Sequence, residues 1–232
     1  ALESPEGFSL IKALIVYSFI VYSIVKDMSV EERRGIESVD RNQDLVLVRA
    51  PIESVAQKFS RARRADVWER DIYDRPIEIT AESYIVFQFR GHPWTIVQQL
   101  KYQPGGLVFG EGDAITLSNF LSTRAIYYKC SDTCGYIGYN CYDGGAFAEM
   151  LYFEEEISFL FVSDFRELTT EDIDSAFSFT DTFMREQDIY IPLVHYENMK
   201  VGDRVNLRLK GPTLDDLERN DFERIDYIGV IA

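Results

Sequence analysis

The sequence predicts an α+β fold, a mainly antiparallel sheet covered by two or three helices and preceded by an apolar N-terminal extension. Aromatic, strand-like runs follow one another from residue 124 to 162, and Asp143-Gly144-Gly145 between them is a hairpin signal, because glycine tolerates the positive φ of such turns. Residues 51–65 and 170–189 instead carry apolar residues at helical spacing. A regular alternation of strand and helix, typical of parallel sheets, is absent.

Composition and charge limit the classes of partner that this chain can bind. Apolar residues make up 46% of the 232 residues, enough for a folded core. Residues 1–100 carry 13 basic and 15 acidic side chains, whereas residues 101–232 carry 11 and 24. An acidic half repels phosphate backbones, so we expect no nucleic acid partner. A basic protein partner fits this charge better.

The apolar run 8–25 contains one charge, Lys12. A membrane span needs about 20 apolar residues, so the run is at the lower limit of length. Its many β-branched and aromatic residues also suit a buried segment. We favour packing in a protein interior or interface, with a membrane anchor as the alternative.

Domain boundaries follow from the same stretch. The chain reads polar from residue 29 to 43, which predicts a linker or a loosely held helix. We therefore expect residues 1–43 to form an extension and linker, and residues 44–232 to form a single α+β domain.

The first elements of this domain are a strand, a helix and a hairpin. Residues 45–48 (LVLV) predict a buried strand, and Pro51 suits the first turn of the helix 51–65. Residues 83–90 and 94–100 predict a hairpin around Gly91-His92-Pro93, which places His92 at an exposed tip. The glycine-rich segment 103–113 predicts a loop that lacks the phosphate-binding pattern. Asp113 is then expected to cap a helix that ends near Ser122.

The meander and its covering helix come next. Strands are expected at 124–129, 135–142, 147–153 and 157–162. Thr169 and Asp172 resemble a capping box for the helix 170–189, whose apolar stripe would cover the meander. The tail predicts a short acidic helix at 214–219 and a last strand at 227–231.

Three cysteines are too few for a disulfide scaffold and odd in number, which favours a reducing compartment. Cys130, Cys134 and Cys141 do not match a common zinc spacing. We expect buried thiols, no metal and no cofactor, and we leave a bond between Cys130 and Cys134 open. The expected location is cytoplasmic, with membrane association through residues 8–25 as the alternative.

Catalytic patterns are weak throughout the chain. A nucleophile–base pair would need His92 or His195, and no nucleophile-elbow motif accompanies either. The acidic runs at 154–156 and 164–174 are typical of a solvated surface. The sequence therefore leans away from an enzyme.

Tyrosines are the strongest candidate for a functional surface. Tyr127, Tyr128, Tyr136, Tyr139, Tyr142 and Tyr152 line neighbouring strands beside acidic residues. Exposed tyrosines suit protein recognition, although cross-strand packing explains them as well. The candidate binding residues are Tyr128, Tyr136, Tyr139, Tyr142, Asp132, Asp143, His92 and Trp94.

These residues predict a non-enzymatic interaction module, such as an inhibitor, an immunity-type protein or an assembly factor. It would present an acidic, tyrosine-rich sheet face to its partner. The alternative is an enzyme of unknown type with a site near the 103–113 loop and Cys130 or Cys134. The sequence leaves the oligomeric state open.

Overall fold

The computed structural model describes residues 29–37, 42–101, 107–131, 135–192, 199–207, 209 and 217–231. The chain divides into two compact units, residues 1–33 and 34–232. In the first unit, the described part is a single 3₁₀ turn, Val30–Glu32. The apolar run 8–25 lies outside the described residues, so its role, like the expected domain boundary at residue 44, stays a prediction.

A nine-stranded sheet forms the body of the second unit. Its strands are β2 (Gln43–Val48), β3 (Val67–Glu69), β5 (Glu82–Phe89), β6 (Thr95–Lys101), β7 (Arg124–Ser131), β8 (Tyr136–Asp143), β9 (Ala146–Glu154), β10 (Ser158–Ser163) and β13 (Phe222–Val230). Their order across the sheet is β10-β9-β8-β7-β2-β6-β5-β13-β3, and every neighbouring pair is antiparallel. This confirms the α+β class with an antiparallel sheet.

Two small sheets accompany it. β1 (Gly35–Ile36) pairs in parallel with β11 (Tyr190–Ile191). β4 (Pro76–Glu78) pairs antiparallel with β12 (Arg204–Asn206).

In the described part of the chain, three helices cover the sheet from its two sides. α1 (Ile52–Ala62) and α2 (Glu111–Leu121) pack on one side, which we call the α1–α2 face, and share a core with Val46, Val86 and Val97. α3 (Ala176–Glu186) packs against β8 and β9 from the opposite side, the α3 face. There the rings of Phe183 and Tyr139 stack with centroids 4.1 Å apart. Because side chains alternate along a strand, each strand contributes to both cores.

The predicted meander is present as β7, β8, β9 and β10. Gly144 and Gly145 turn the chain between β8 and β9 with φ of 56° and 86°. At Gly145 a Cβ atom would lie 2.8 Å from Cβ of Asn119, so the turn also needs glycine to pack against α2.

Two helix starts differ from the sequence predictions. α2 begins at Glu111 after Gly110, and the carboxylate of Asp113 accepts the Gly110 N–H at 2.9 Å. Asp113 thus lies inside the first turn. The predicted helix 170–189 is wrong as one element. Thr169 and Asp172 close a 3₁₀ turn, and α3 starts after Ser175, whose Oγ accepts the Ser178 N–H.

The C-terminal strand is longer than predicted, because β13 begins at Phe222. A 3₁₀ turn, Arg219–Asp221, precedes it. Half of the predicted helix 214–219 lies outside the described residues; in the other half Leu217 and Glu218 are not helical and Arg219 begins the 3₁₀ turn. None of the helices that the structure describes is long and apolar enough to cross a membrane.

Arg63 connects the two helices of the α1–α2 face. Its side chain is only 3% exposed and forms an ion pair with Asp113. It also donates to the carbonyl oxygens of Leu107 and Val108 at 2.8 and 3.1 Å. Its guanidinium lies 5.3–5.8 Å from three aromatic ring centroids, those of Phe59, Tyr84 and Phe109. The buried charge is therefore fully paired.

Candidate functional site

Beyond α2, the α1–α2 face of the meander is partly exposed. α2 packs against β2, β7 and β8. The strand registers place seven outward side chains together beyond it, and we call this surface the open tyrosine face. Its members are Lys129, Tyr136, Asn140, Met150, Tyr152, Leu160 and Val162. Leu160 and Val162 are 47% and 41% exposed.

The two tyrosines of this face pack on each other. Their ring centroids are 5.0 Å apart in an edge-to-face arrangement. The ring of Tyr136 lies across Gly138, where a Cβ atom would come within 2.9 Å of the Tyr136 hydroxyl and 2.6 Å of the Leu151 carbonyl oxygen. Lys129 Nζ lies 5.5 Å from the centroid of the Tyr136 ring. Because Gly138 has no side chain, the Tyr136 ring can lie across it and contact Tyr152.

Carboxylates border the open tyrosine face. The Tyr152 hydroxyl donates to Glu154, and the Tyr142 hydroxyl donates to Glu111 at the start of α2. Asp44 lies opposite Lys129 in the register of β2 and β7. Its Oδ1 is buried without a hydrogen-bond partner.

Burial and neighbouring charges shift the pKa values of this region. Burial raises the pKa of Asp44, although the Tyr127 hydroxyl and Lys129 act against the rise. Burial, with Tyr152 and Asp44 nearby, raises the pKa of Tyr136 to about 12. Tyr136 is therefore a neutral hydroxyl at physiological pH, suited to hydrogen bonding and not to proton transfer.

Most of the predicted tyrosine surface is buried. Tyr128, Tyr139 and Tyr142 are 0%, 1% and 6% exposed, so their expected place on an exposed recognition face is wrong. Tyr128 and Tyr139 are register partners on the α3 face, which α3 covers. Tyr142 lies in the core beneath α2. Of the predicted tyrosines, Tyr136 remains half-exposed.

His92 and Trp94 are also buried, at 6% and 2% exposure. The predicted exposed tip of the β5–β6 hairpin is wrong, because the segment around α3 and β11 packs on it. The His92 ring centroid lies 6.1 Å from that of Tyr190, and the Trp94 indole N–H donates to the Gln187 carbonyl oxygen at 2.6 Å.

The two predicted aspartates have different outcomes. Asp143 is exposed at the β8–β9 turn, where it pairs with Arg124 at 2.9 Å. Asp132 lies outside the described residues.

Tyrosine–carboxylate pairing explains much of the acidic, tyrosine-rich composition. Among the described residues, five tyrosine hydroxyls donate to glutamate side chains, in the pairs Tyr84–Glu82, Tyr139–Glu149, Tyr142–Glu111, Tyr152–Glu154 and Tyr190–Glu37. Each of these groups satisfies the other inside or beside the fold. The tyrosine-rich, acidic composition therefore predicted a larger exposed tyrosine surface than the structure has.

The alternative enzyme site does not come together among the described residues. Phe109 and Gly110, at the end of the glycine-rich loop, pack on the α1–α2 face against Tyr84 and Tyr127. Cys130 pairs with Ile137 in register on the α3 face. The sheet separates the two parts. Cys134 lies outside the described residues, so its pairing with Cys130 stays open.

A cavity of about 530 Å³ lies beside Cys130 at the start of α3. Its side chains include Ile137, Phe153, Phe159 and Phe177, and Asp174 is its one charged residue among those described. A described base that could activate the thiol is lacking there. Cys141, on the same face, is fully buried, which raises its pKa to about 12. The described thiols thus behave as apolar core groups.

A second buried network on the α3 face was not predicted. Glu149 is fully buried, accepts the Tyr139 hydroxyl at 2.7 Å and forms an ion pair with Arg166 Nε at 3.0 Å. Arg166 also donates to Glu186 of α3 at 2.6 Å. These side chains hold the chain between β10 and α3 against the sheet. Glu149 lies in the predicted strand 147–153 and Glu186 in the predicted helix 170–189, and no local pattern links either acid to Arg166, so the sequence offered no signal for this network.

The described residues contain no cluster of three or more histidine, cysteine, aspartate or glutamate side chains able to hold a metal. Similarity to known proteins gives no further indication of function. No protein-family model, no curated protein and no solved structure matches this chain.

Proposed function

We propose that this protein is a non-enzymatic binding module that takes a basic protein partner on its open tyrosine face. The observation that carries the proposal is the grouping of Tyr136 and Tyr152 with the exposed side chains of Leu160 and Val162. Aromatic and apolar side chains on a rigid sheet offer contact area at low entropic cost.

Charge around this surface indicates the character of the partner. Glu155 and Glu156 follow β9, and Asp164 and Glu167 follow β10; all four are exposed. None of them forms an ion pair with a described residue. Lysine and arginine side chains of a partner would find exposed carboxylates here, which speeds association and selects the partner.

The test compares two variants that add the same charge at different places. Leu160→Arg changes the open tyrosine face, whereas Val201→Arg changes an exposed residue (60% exposed) that is not part of this face. Wild-type and variant proteins are immobilised and exposed to extract from the native source at low and high salt, and retained proteins are identified by mass spectrometry.

We expect a basic protein that is retained by wild type and by the Val201→Arg variant, is lost with Leu160→Arg, and is released by salt. Retention of the same proteins by all three baits would overturn the proposal. So would the absence of any salt-sensitive basic protein. Circular dichroism of each bait confirms that the variants are folded.

A further inference from the structure

The two edges of the nine-stranded sheet differ in how they are protected. β3 is three residues long and ends in Glu69, and the guanidinium of Arg70 lies 4.3 Å from the Trp68 ring centroid. β10 is six residues long, with the sequence SFLFVS. It has no charged residue and no proline, with which natural edge strands avoid pairing with other chains.

The hydrogen-bonding pattern shows which groups of β10 face outward. Asp164 N–H donates to the Ala148 carbonyl oxygen at 2.9 Å. Because bonded pairs alternate in an antiparallel ladder, Val162 and Leu160 also bond to β9. The backbone groups of Phe159, Phe161 and Ser163 then point away from the sheet. Among the described residues no strand pairs with this outer edge.

Exposed apolar side chains concentrate beside this edge. Five of the exposed large apolar residues that the structure describes lie within twelve positions of one another, namely Ile157, Leu160, Val162, Phe165 and Leu168. Isolated exposed apolar residues are ordinary on protein surfaces, but a contiguous group marks an interaction site. Leu160 and Val162 of this group lie on β10 itself, whose outer edge pairs with no described strand, so one more strand could be built there.

We infer that β10 accepts an extended segment of the partner as a tenth strand, with alternating apolar residues flanked by lysine or arginine. The flanks follow from charge: Glu155 and Glu156 lie at one end of β10, and Asp164 and Glu167 lie at the other. Main-chain hydrogen bonds would give this strand affinity, and side chains that meet Leu160 and Val162 would give it specificity. The inference rests on the proposed function and specifies how the partner binds.

A second copy of this chain is a poorer occupant of the same edge. Antiparallel pairing of two β10 strands would bring the carboxylates before one strand close to those after the other. Like charges directly opposite in a sheet are destabilising. A basic peptide would instead place lysine or arginine side chains opposite the carboxylates at both ends of β10.

The experiment uses the peptide KKTVTVTVKK with blocked termini and two N-methylated isomers, one methylated at the three threonine amides and the other at the three valine amides. In strand addition, one set of amides bonds to β10 and the other faces solvent. We expect one isomer to lose about 10-fold or more in affinity by isothermal titration calorimetry, since each lost ladder bond costs about 1 kcal/mol. The other isomer should bind within about 3-fold of the parent.

A protein variant tests the same point from the other side. Ser163→Pro removes an outward N–H without touching the ladder to β9, and Ser163→Ala keeps that N–H while removing the same hydroxyl. We expect the parent peptide to bind the alanine variant like wild type and the proline variant about 10-fold more weakly. Replacing the four lysines by glutamate should abolish binding.

Four results would overturn strand addition: equal effects of both isomers, no difference between the two Ser163 variants, no binding of the parent peptide, or equal binding of the glutamate peptide. A dimer in sedimentation experiments that Ser163→Pro dissociates would instead assign the edge to a second copy. The proposed function is judged separately, because it depends on Leu160→Arg in the extract experiment.

Discussion

The two parts of the main sheet differ in how many of their faces are covered. β2, β5, β6 and β13 are buried on both faces, so that nearly all residues of β5 are inaccessible. The meander β7–β10 is covered by α3 on one face, while its other face is partly open beyond α2. The same residue types therefore serve different roles: tyrosine is core material where both faces are covered and surface where one is open.

A tyrosine of this sheet is therefore accessible to a partner only where no other element covers its face, whatever the composition of the strand. Tyr139 and Tyr136 are three residues apart on β8, yet one stacks under α3 and the other faces outward. An odd spacing along a strand is enough to change the face.

Replacing Arg63 by alanine should give the largest loss of stability, because it removes the charge that connects α1 and α2 on the covered part. Asp113 and the two carbonyl groups of Leu107 and Val108 would lose their donor. Breaking a buried ion pair costs about 3–5 kcal/mol, measurable by urea unfolding. Arg61→Ala, at an exposed position on the same helix, is the control and should change stability by less than about 0.5 kcal/mol. Similar effects of both changes would contradict the assigned role.

The next prediction compares the two tyrosines of β8. Tyr139→Phe leaves the buried Glu149 without its hydroxyl donor, which should lower the free energy of unfolding by about 1–3 kcal/mol. Tyr136→Phe, on the open side, should change it by less than about 0.5 kcal/mol. Chemical denaturation of both variants measures the difference. If Tyr136→Phe proved the more damaging, the division into covered and open faces would be wrong.

The fold could be predicted from the sequence because turns and helices are specified by residues close together in the chain. The glycine turn at 144–145 and the apolar stripe of α1 depend on neighbouring residues, and the meander and that helix appear close to the expected positions. The predicted start of the helix before β11 was wrong because it also relied on a local pattern. Thr169 and the residues after it resemble a helix start, but they form a 3₁₀ turn, and the helix begins after Ser175.

The candidate site was harder to predict because it depends on contacts between distant segments. Nothing near His92 indicates that Tyr190 and Arg34 pack on it. Arg63 lies near the end of the predicted helix 51–65, and nothing in that segment indicates that residues 107 to 113 contact and bury it. Leu160 and Val162 read as an ordinary strand. They became candidates only once β10 proved to be the edge of the sheet.

Glycine substitutions sharpen the comparison between the open face and the helix layer. Gly138→Ala would place a Cβ atom 2.6 Å from the Leu151 carbonyl oxygen, so we expect a loss of about 1–3 kcal/mol and a displaced Tyr136 ring. Gly112 in α2 has open space around it, and Gly112→Ala should gain about 0.5–1 kcal/mol through helix propensity. Thermal unfolding gives the signs, and a crystal structure of the Gly138→Ala variant shows whether the Tyr136 ring has moved. A stabilising Gly138→Ala change would show that the tyrosine pair does not depend on this glycine.

A substitution of Asp44, at the border between the covered and open parts of the sheet, is expected to change stability least. Burial raises its folded-state pKa above the ordinary value of 3.8. Between the unfolded and folded pKa values the folded protein binds more protons, so this group's contribution to stability falls as pH rises through that window and stays low above it. Asp44→Asn removes the effect and should be slightly more stable than wild type at pH 7, with the advantage shrinking as pH falls toward about 4. Urea unfolding across this pH range measures the difference, and the exposed Asp174→Asn change is the control. A variant that is less stable than wild type at pH 7 would mean that the Tyr127 hydroxyl and Lys129 outweigh burial, and that Asp44 belongs electrostatically to the open face.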